Sequence, residues 1–318
     1  MDDKDLDCGG RAQRRHRFPY GRLRPKAAWR FASRRSPKSV VAAQAALGSS
    51  VVNFSVETLK FKLTIAYDGT GYEGWQVQKT GTGVQEKVET ALAKLFPSQP
   101  HLHSASRTDT GVHALDMVAH FEIPGAEARM SVRQLTLALN AWLPADIRVL
   151  SASRMPEKFH ARFDAAGKQY RYFVWNHPAM NPLIRHTAWH VTRPLNLKAM
   201  RAAAPLFVGR RDFKSFAASR NYEMKSTVRT VKRCDIKKSG PQLTFIIEGD
   251  GFLYKMCRGI VGTLVQIGLG KFPADEIRRM LAKKDRRVGG MTAPAHGLVL
   301  WKVFYSTRRR KGAKTQRK

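Results

Sequence analysis

Val228-Arg229-Thr230-Val231-Lys232-Arg233-Cys234-Asp235-Ile236, followed across Ser239-Gly240-Pro241 by Leu243-Thr244-Phe245-Ile246-Ile247-Glu248, is the stretch that decides the fold class. Both runs favour strands and the Ser-Gly-Pro between them is turn chemistry, so they read as an antiparallel hairpin. Downstream, the apolar stretch Phe252–Ile267 reads as a long helix, a short helix starts near Pro273, and Leu298–Tyr305 forms a last strand. Upstream, Phe61, Leu63, Ile65 and Tyr67 alternate with Lys62, Thr64 and Ala66 before Asp68-Gly69, which predicts a half-buried strand. Thr82-Gly83-Val84-Gln85 has capping-box spacing and predicts a helix with Val84, Val88, Ala91, Leu92 and Leu95 on one face. Strands are expected over Met117–Ile123, Ile147–Leu150 and Tyr170–Trp175. Helices are expected from Ser131, with Leu135, Leu139 and Trp142 aligned, and over Leu197–Phe207. Hairpin-like strands interleaved with helices predict an α+β body, antiparallel sheets with helices packed on them, rather than a doubly wound parallel sheet.

The chain has 318 residues, of which 43% are hydrophobic, enough for one large or two ordinary domains and too many for a disordered polycation. Its 57 Lys and Arg against 24 Asp and Glu give a formal charge of +33. Residues 1–50 hold 12 of the basic and 4 of the acidic residues, and residues 306–318 hold 7 basic and none acidic, so the body keeps 38 against 20, a net +18. A folded body that stays this basic draws a polyanion, and nucleic acid is the favoured one. Residues 8–56 contain no Asp or Glu, the composition of an organellar transit peptide or a flexible RNA-binding arm, and Met1-Asp2-Asp3-Lys4-Asp5 argues against the former. Residues 1–56 are expected to be a disordered basic extension and residues 306–318 a basic tail. Cys8, Cys234 and Cys257 form no C-x-x-C pair, and His101 and His103 have no further pair at ligand spacing, so no disulfide framework and no metal are expected. The most apolar stretch, Phe252–Leu269, contains Lys255 and Arg258, which argues against a membrane span.

Three segments carry candidate chemistry. Gly69-Thr70-Gly71-Tyr72-Glu73-Gly74 matches G-x-G-x-x-G, but the helix starts near Gly83 rather than within the glycines, and Glu89 lies inside that helix. A glycine-rich turn is the better reading. Ser106-Arg107-Thr108-Asp109-Thr110-Gly111-Val112-His113-Ala114 contains one D-T-G triplet, and a single copy in a basic chain does not gather two carboxylates sharing a proton. What remains is a carboxylate two residues from an arginine, just ahead of a strand. In the third segment, helical spacing sets Arg258 amid Tyr254, Val261, Gly262 and Val265. An arginine on an apolar arc either meets an anion, a carboxylate such as Asp109 or a substrate phosphate, or snorkels to solvent, and the first is the favoured reading. Strand Tyr170–Trp175 places Tyr170, Tyr172 and Val174 on one face, which is sheet core or a platform for an unstacked base.

Taken together, Tyr67-Asp68-Gly69 with Gly74-Trp75-Gln76, Arg107-Thr108-Asp109-x-Gly111-Val112-His113-Ala114, Tyr170-Arg171-Tyr172, Phe252-Leu253-Tyr254-x-Met256-x-Arg258 and Ala293-Pro294-Ala295-x-Gly297-Leu298 resemble the tRNA pseudouridine synthase A family. The likeness runs in the family's order from Leu59 to Tyr305 and leaves head and tail uncovered. It implies isomerisation of uridine to pseudouridine in the tRNA anticodon arm, at positions 38 to 40, without metal or organic cofactor. It further implies two related α/β subdomains, here 57–160 and 161–305, with mostly antiparallel sheets joined around a basic active-site cleft, and a homodimer that shares one tRNA. By the same resemblance Asp109 is the catalytic aspartate, acting on the ribose as nucleophile or as base. Tyr170 stacks on the flipped base and helps remove the C5 proton. Arg258 pairs with Asp109, Arg107 holds the nucleotide out of the stack, and Leu298 lines the base pocket. An aspartate near Arg107 and facing Arg258 is expected to be ionised at neutral pH. Ser106 stands where the family usually has glycine, and Lys255 and Cys257 are departures within the arginine block. Two other readings accompany this one: a same-fold synthase acting on other tRNA sites or other RNAs, and a catalytically idle RNA-binding protein. The expected compartment is a bacterial cytoplasm, with an organelle as the alternative if the head is a transit peptide.

Overall fold

The computed structural model describes residues 57–77, 82–218 and 226–306. The basic head and all but Ser306 of the basic tail lie outside the described residues. The strands are β1 Thr58–Tyr67, β2 His103–Ser104, β3 His113–Pro124, β4 Ile147–Met155, β5 Ala165–Asn176, β6 Trp189–Val191, β7 Gly209–Asp212, β8 Val228–Ser239, β9 Gln242–Gly249 and β10 Leu298–Tyr305. The helices are α1 Val84–Ala93, α2 Val132–Trp142, α3 Leu197–Ala203, α4 Met256–Gly268 and α5 Glu276–Lys283. The strands form one mixed, mostly antiparallel sheet in the order β4-β1-β3-β10-β5-β9-β8-β7, with β2 on β3 and β6 on β5. The architecture is α+β.

One order of elements recurs. β1, α1, β3, α2 and β4 come in that order in the chain, with the short β2 before β3, and β1 lies between β3 and β4 in the sheet. β5, α3, β9, α4 and β10 repeat that pattern with β5 between β9 and β10; in this second set β6, β7 and β8 are additions to the order. The two sets meet where β10 runs parallel to β3, Val299 opposite His113 and Leu300 opposite Ala114. Because that pair is parallel, the loops that precede both strands open at the same end of the sheet.

The alternation in β1 buries Phe61, Leu63, Ile65 and Tyr67. They pack with Val84, Val88 and Leu92 of α1 and with Phe121 of β3, whose ring stacks on Phe61 at 5.5 Å. Each such side chain contributes about 1.5–3 kcal/mol of burial. In the other half, α4 is buried almost all round. Its Gly259 and Gly262 let backbone approach the helix directly: a Cβ on Gly259 would stand 2.3 Å from the Phe216 carbonyl oxygen, and one on Gly262 would stand 1.9 Å from that of Met291.

Several sequence expectations are corrected. The capping box at Thr82 does not form; Gly83 is the N-cap of α1 with no side-chain bond, and a Cβ there would meet the Gln76 carbonyl oxygen at 2.6 Å. A capping box does form on α2, between Ser131 and Gln134. Trp142, aligned with the buried face on a helical wheel, is 54% exposed and lies under the Lys94 ammonium at 3.8 Å. The helix expected over Leu197–Phe207 ends at Ala203 and tightens into a 3-10 turn, Ala204–Phe207, because Pro205 has no N–H to donate. The helix expected from Phe252 starts four residues later. Lys255 takes a left-handed conformation (φ 58°) and the Tyr254 carbonyl accepts from the Ala218 N–H, so Phe252 and Leu253 are irregular and Tyr254-Lys255 form a turn ahead of α4.

Candidate active site

The loop that carries Asp109 joins β2 to β3 and is fixed from beneath by the glycine-rich turn after β1. Trp75 N–H donates to Thr108 O at 3.2 Å, and Gly111 N–H donates to Tyr72 O at 3.2 Å. Gly74 sits at φ 92°, and a Cβ on it would stand 2.5 Å from Thr108 O; one on Gly69 would stand 2.2 Å from Val112 O. The G-x-G-x-x-G match therefore has a mechanical meaning at its first and last positions: Gly69 and Gly74 admit the backbone of the aspartate loop. The Tyr67 and Thr108 hydroxyls, 2.8 Å apart, add a side-chain tie. His113 completes the support. Its Nδ1 lies 3.0 Å from both the Gly69 N–H and an Asp68 carboxylate oxygen, and its Nε2 lies 3.0 Å from the carbonyl oxygens of His186 and His296.

Arg258, on the first turn of α4, reaches this loop. Its Nη1 is 3.3 Å from Asp109 Oδ2, and its Nε donates to Ala293 O at 2.8 Å. The Arg258 and Asp109 side chains are 13% and 15% exposed, so the pair is largely out of bulk water, where charge interactions are less screened than on an open surface. Ala293 N–H returns a bond to Arg258 O at 3.0 Å, which clips the 291–295 segment to α4.

Tyr170, in β5, is buried beside the same loop, its hydroxyl 3.0 Å from Ser106 Oγ. Burial pushes that phenol well above its ordinary range, with the nearby Asp109 charge acting in the same direction, so it is protonated at neutral pH. Ser106 does not lie in the left-handed region, so serine in place of glycine strains nothing and supplies a partner for Tyr170. Leu298, the first residue of β10, is 6% exposed and pairs with Tyr172.

These groups share one cavity of about 900 Å³, lined by Arg107, Asp109, Tyr170 and Leu298 together with Lys168, Phe252 and others. Arg107 is exposed at its edge. Arg258 approaches Asp109 without lining it. The cavity draws on both halves of the sheet, because the parallel join of β3 and β10 puts the Asp109 loop, Leu298 and Tyr170 side by side. Lys168 is half-buried two residues before Tyr170; burial, with Arg162 and Arg229 nearby, pulls its ammonium down to about 8.

The sequence profile of the tRNA pseudouridine synthase family matches residues 63–164 and 203–306. The chain belongs to the tRNA pseudouridine synthase family. It is 43% identical over 243 residues to tRNA pseudouridine synthase A of Thermoanaerobacter sp. (strain X514), covering 76% of this chain and 98% of that one. It is 45% identical over 245 residues to tRNA pseudouridine synthase A of Geobacter sp. (strain M21), covering 77% and 98%. It is 43% identical over 249 residues to tRNA pseudouridine synthase A of Bacillus subtilis (strain 168), covering 78% and 99%. Within this tRNA pseudouridine synthase fold, sequence reasoning left three features unassigned: two that line the cavity, Lys168 and Phe252, and one that supports the loop from outside it, His113. His113 belongs to the quoted motif but was given no task, Lys168 lies on a strand read for its tyrosines, and Phe252 was placed inside a helix. A lone histidine, a strand lysine and an apolar residue carry no local signal that separates support from site.

Proposed function

We propose that this family member isomerises uridine to pseudouridine in the anticodon arm of tRNA, at positions 38 to 40, with Asp109 as the essential group and no metal or organic cofactor. The observation that carries the reading is Asp109 on its braced loop, lining the cavity and met by Arg258. A base in a stem must leave its stack to reach such a cavity, at a cost of about a few kcal/mol that phosphate contacts and stacking repay. The +18 body supports those contacts. Asp109 attacks C1′ as the N1–C1′ bond breaks and is itself displaced when C5 bonds to C1′, or it takes the C2′ proton as that bond breaks and returns it when C5 bonds to C1′; the uracil turns in between. C5 loses its proton and N1 ends protonated, so the product is an isomer of the substrate. Arg107 holds the nucleotide extruded, Leu298 bounds the base, and Arg258 holds the carboxylate toward the ribose.

Tyr170 stacks on the uracil, and its hydroxyl, protonated and 3.0 Å from Ser106 Oγ, relays the C5 proton by passing its own on as it accepts, rather than acting as a phenolate base. Tyr170→Phe keeps the ring, so tRNA affinity should stay close to wild type while kcat falls by about 10²–10⁴, the worth of a positioned proton-transfer group. A kcat within a factor of a few of wild type would leave the ring as the whole contribution. Arg258→Met should lower kcat by about 10²-fold or more, as when a preorganised charge partner is lost. Single-turnover kinetics with saturating enzyme separates that loss from weaker binding.

The homodimer sharing one tRNA, and a cytoplasmic location alongside that substrate, belong to the same proposal; the curated relatives are bacterial. The deciding experiment is tritium release from tRNA transcripts labelled at uridine C5, followed by mapping of the modified positions. Release mapping to the anticodon arm supports the reading. Release from other positions would redirect it to another substrate site, and tight tRNA binding without release would overturn it in favour of an RNA-binding role.

A further inference from the structure

Phe163 is 74% exposed, yet it is not an isolated surface residue. Its ring lies 4.2 Å, centroid to centroid, from that of His160 at a 36° tilt. His160 is 4.7 Å from the ring of His120, which is 2% exposed in the core. A column of aromatic rings thus runs from the interior to the lip of the Asp109 cavity, where both Phe163 and His160 are lining residues. The turn that presents Phe163 is closed at both ends: His160 N–H donates to Asp164 Oδ2 at 2.9 Å, and Asp164 N–H donates back to His160 O at 3.1 Å. His160 Nδ1 faces the Arg162 N–H at 3.1 Å. Burial lowers the pKa of His160, and it takes that of His120 down to about 4, so at neutral pH the column is uncharged and its last ring offers an apolar π-face.

One cation lies over that ring and two more line the same cavity. The Arg162 guanidinium is 5.8 Å from the Phe163 centroid, and Lys168 and Arg229 line the same cavity. Among the described residues no ion pair joins Arg162, Lys168 or Arg229 to a carboxylate. Three cations with no ion-pair partner among the described residues, lining the same cavity as an exposed aromatic ring, match the two halves of a nucleotide: phosphate for the cations and base for the ring.

We propose that Phe163, backed by His160, stacks a second base of the RNA substrate at the cavity lip, while Arg162, Lys168 and Arg229 hold the phosphate of that nucleotide. The inference rests on the reading that the cavity receives a uridine from RNA, and it deepens that reading by giving the neighbouring nucleotide a seat of its own. A base held outside the cavity keeps the strand from re-stacking behind the extruded uridine. Phenylalanine suits the task because a π-face accepts any base, so the site contributes grip and not sequence choice.

The test is affinity and turnover of full-length chain on a tRNA transcript, with Phe163→Ala, Phe163→Leu and Phe163→Trp. Loss of one stacked base weakens binding by about tenfold to a hundredfold. Phe163→Ala should therefore raise Kd and KM by that factor with an unchanged melting temperature, since the ring is exposed. Phe163→Trp should restore wild-type values and Phe163→Leu should not, because leucine is apolar without a π-face. The salt slope of binding should be the same in Phe163→Ala and wild type, whereas Lys168→Met should reduce it by about one unit, the signature of one lost phosphate contact. Wild-type Kd in Phe163→Ala, full rescue by leucine, or a loss of affinity traced by sedimentation to dissociation of a dimer would each overturn the proposal. If wild type binds tRNA but releases no tritium, the isomerase reading fails while the binding comparison still decides this one.

Discussion

Asp109→Asn is expected to abolish isomerisation, with turnover down by at least roughly 10⁴-fold, as when an essential group is removed from a catalytic unit. The substitution is nearly isosteric, so the loop should persist: its supports are the Trp75–Thr108 and Gly111–Tyr72 backbone bonds and the Gly69 and Gly74 contacts, none of which uses the carboxylate. Affinity for tRNA should therefore stay close to wild type, because the basic body and the cavity walls are unchanged. Tritium release measured beside a filter-binding isotherm separates the two effects. Wild-type turnover by Asp109→Asn would remove Asp109 from the mechanism; a parallel loss of binding and activity would show that the substitution disturbs the loop.

Gly262→Ala sets two physical effects against each other, and the structure decides the sign. By helix propensity alone, alanine in the interior of α4 stabilises by about 1 kcal/mol. The new methyl, however, would stand 1.9 Å from Met291 O, 2.8 Å from Met291 C and 3.0 Å from Ala293 N, all backbone atoms that no rotamer change can move aside. Overpacking of this kind costs about 1–3 kcal/mol or more. We expect net destabilisation, with a melting temperature lower by several degrees at about 2–4 °C per kcal/mol for a domain of this size. Activity should fall further than stability, because the displaced segment carries Ala293, whose carbonyl receives Arg258 Nε and whose N–H returns to Arg258 O. Gly71→Ala is the control: a Cβ there meets nothing within 4 Å, and its melting temperature should match wild type. A Gly262→Ala protein as stable as wild type would mean that residues 291–293 yield without cost.

Much of the chain's organisation was legible without coordinates. The β1 alternation, the Ser239-Gly240-Pro241 turn and the final strand all fall where period and turn chemistry put them, since each depends on residues adjacent in sequence. The turn pairs Ser239 with Gln242 across two residues. Misreadings cluster where a distant contact overrides a local pattern. Thr82 has the right spacing for a cap, but the Gln85 N–H that its hydroxyl would bond donates to Trp75 O at 2.9 Å instead. Phe252–Tyr254 fits a helix on paper, but Lys255 turns left-handed and the Tyr254 carbonyl bonds to Ala218 N–H.

The candidate site divides in the same way. Residue types and spacing by themselves marked an aspartate beside an arginine in a hydroxyl-rich loop, an arginine on an apolar helix that needs an anion, a tyrosine-rich strand, and a body basic enough for nucleic acid. Chemistry of that kind is carried by side chains and survives any placement. Only the tertiary structure decided which of these groups meet. Arg258 lies 149 residues from Asp109 and reaches it because β10 enters the sheet parallel to β3 and α4 packs through Gly262 against the segment just before β10. Only the tertiary structure also exposed Phe163 on its column of histidines, because exposure is a property of what the rest of the chain leaves uncovered, and no local pattern records it.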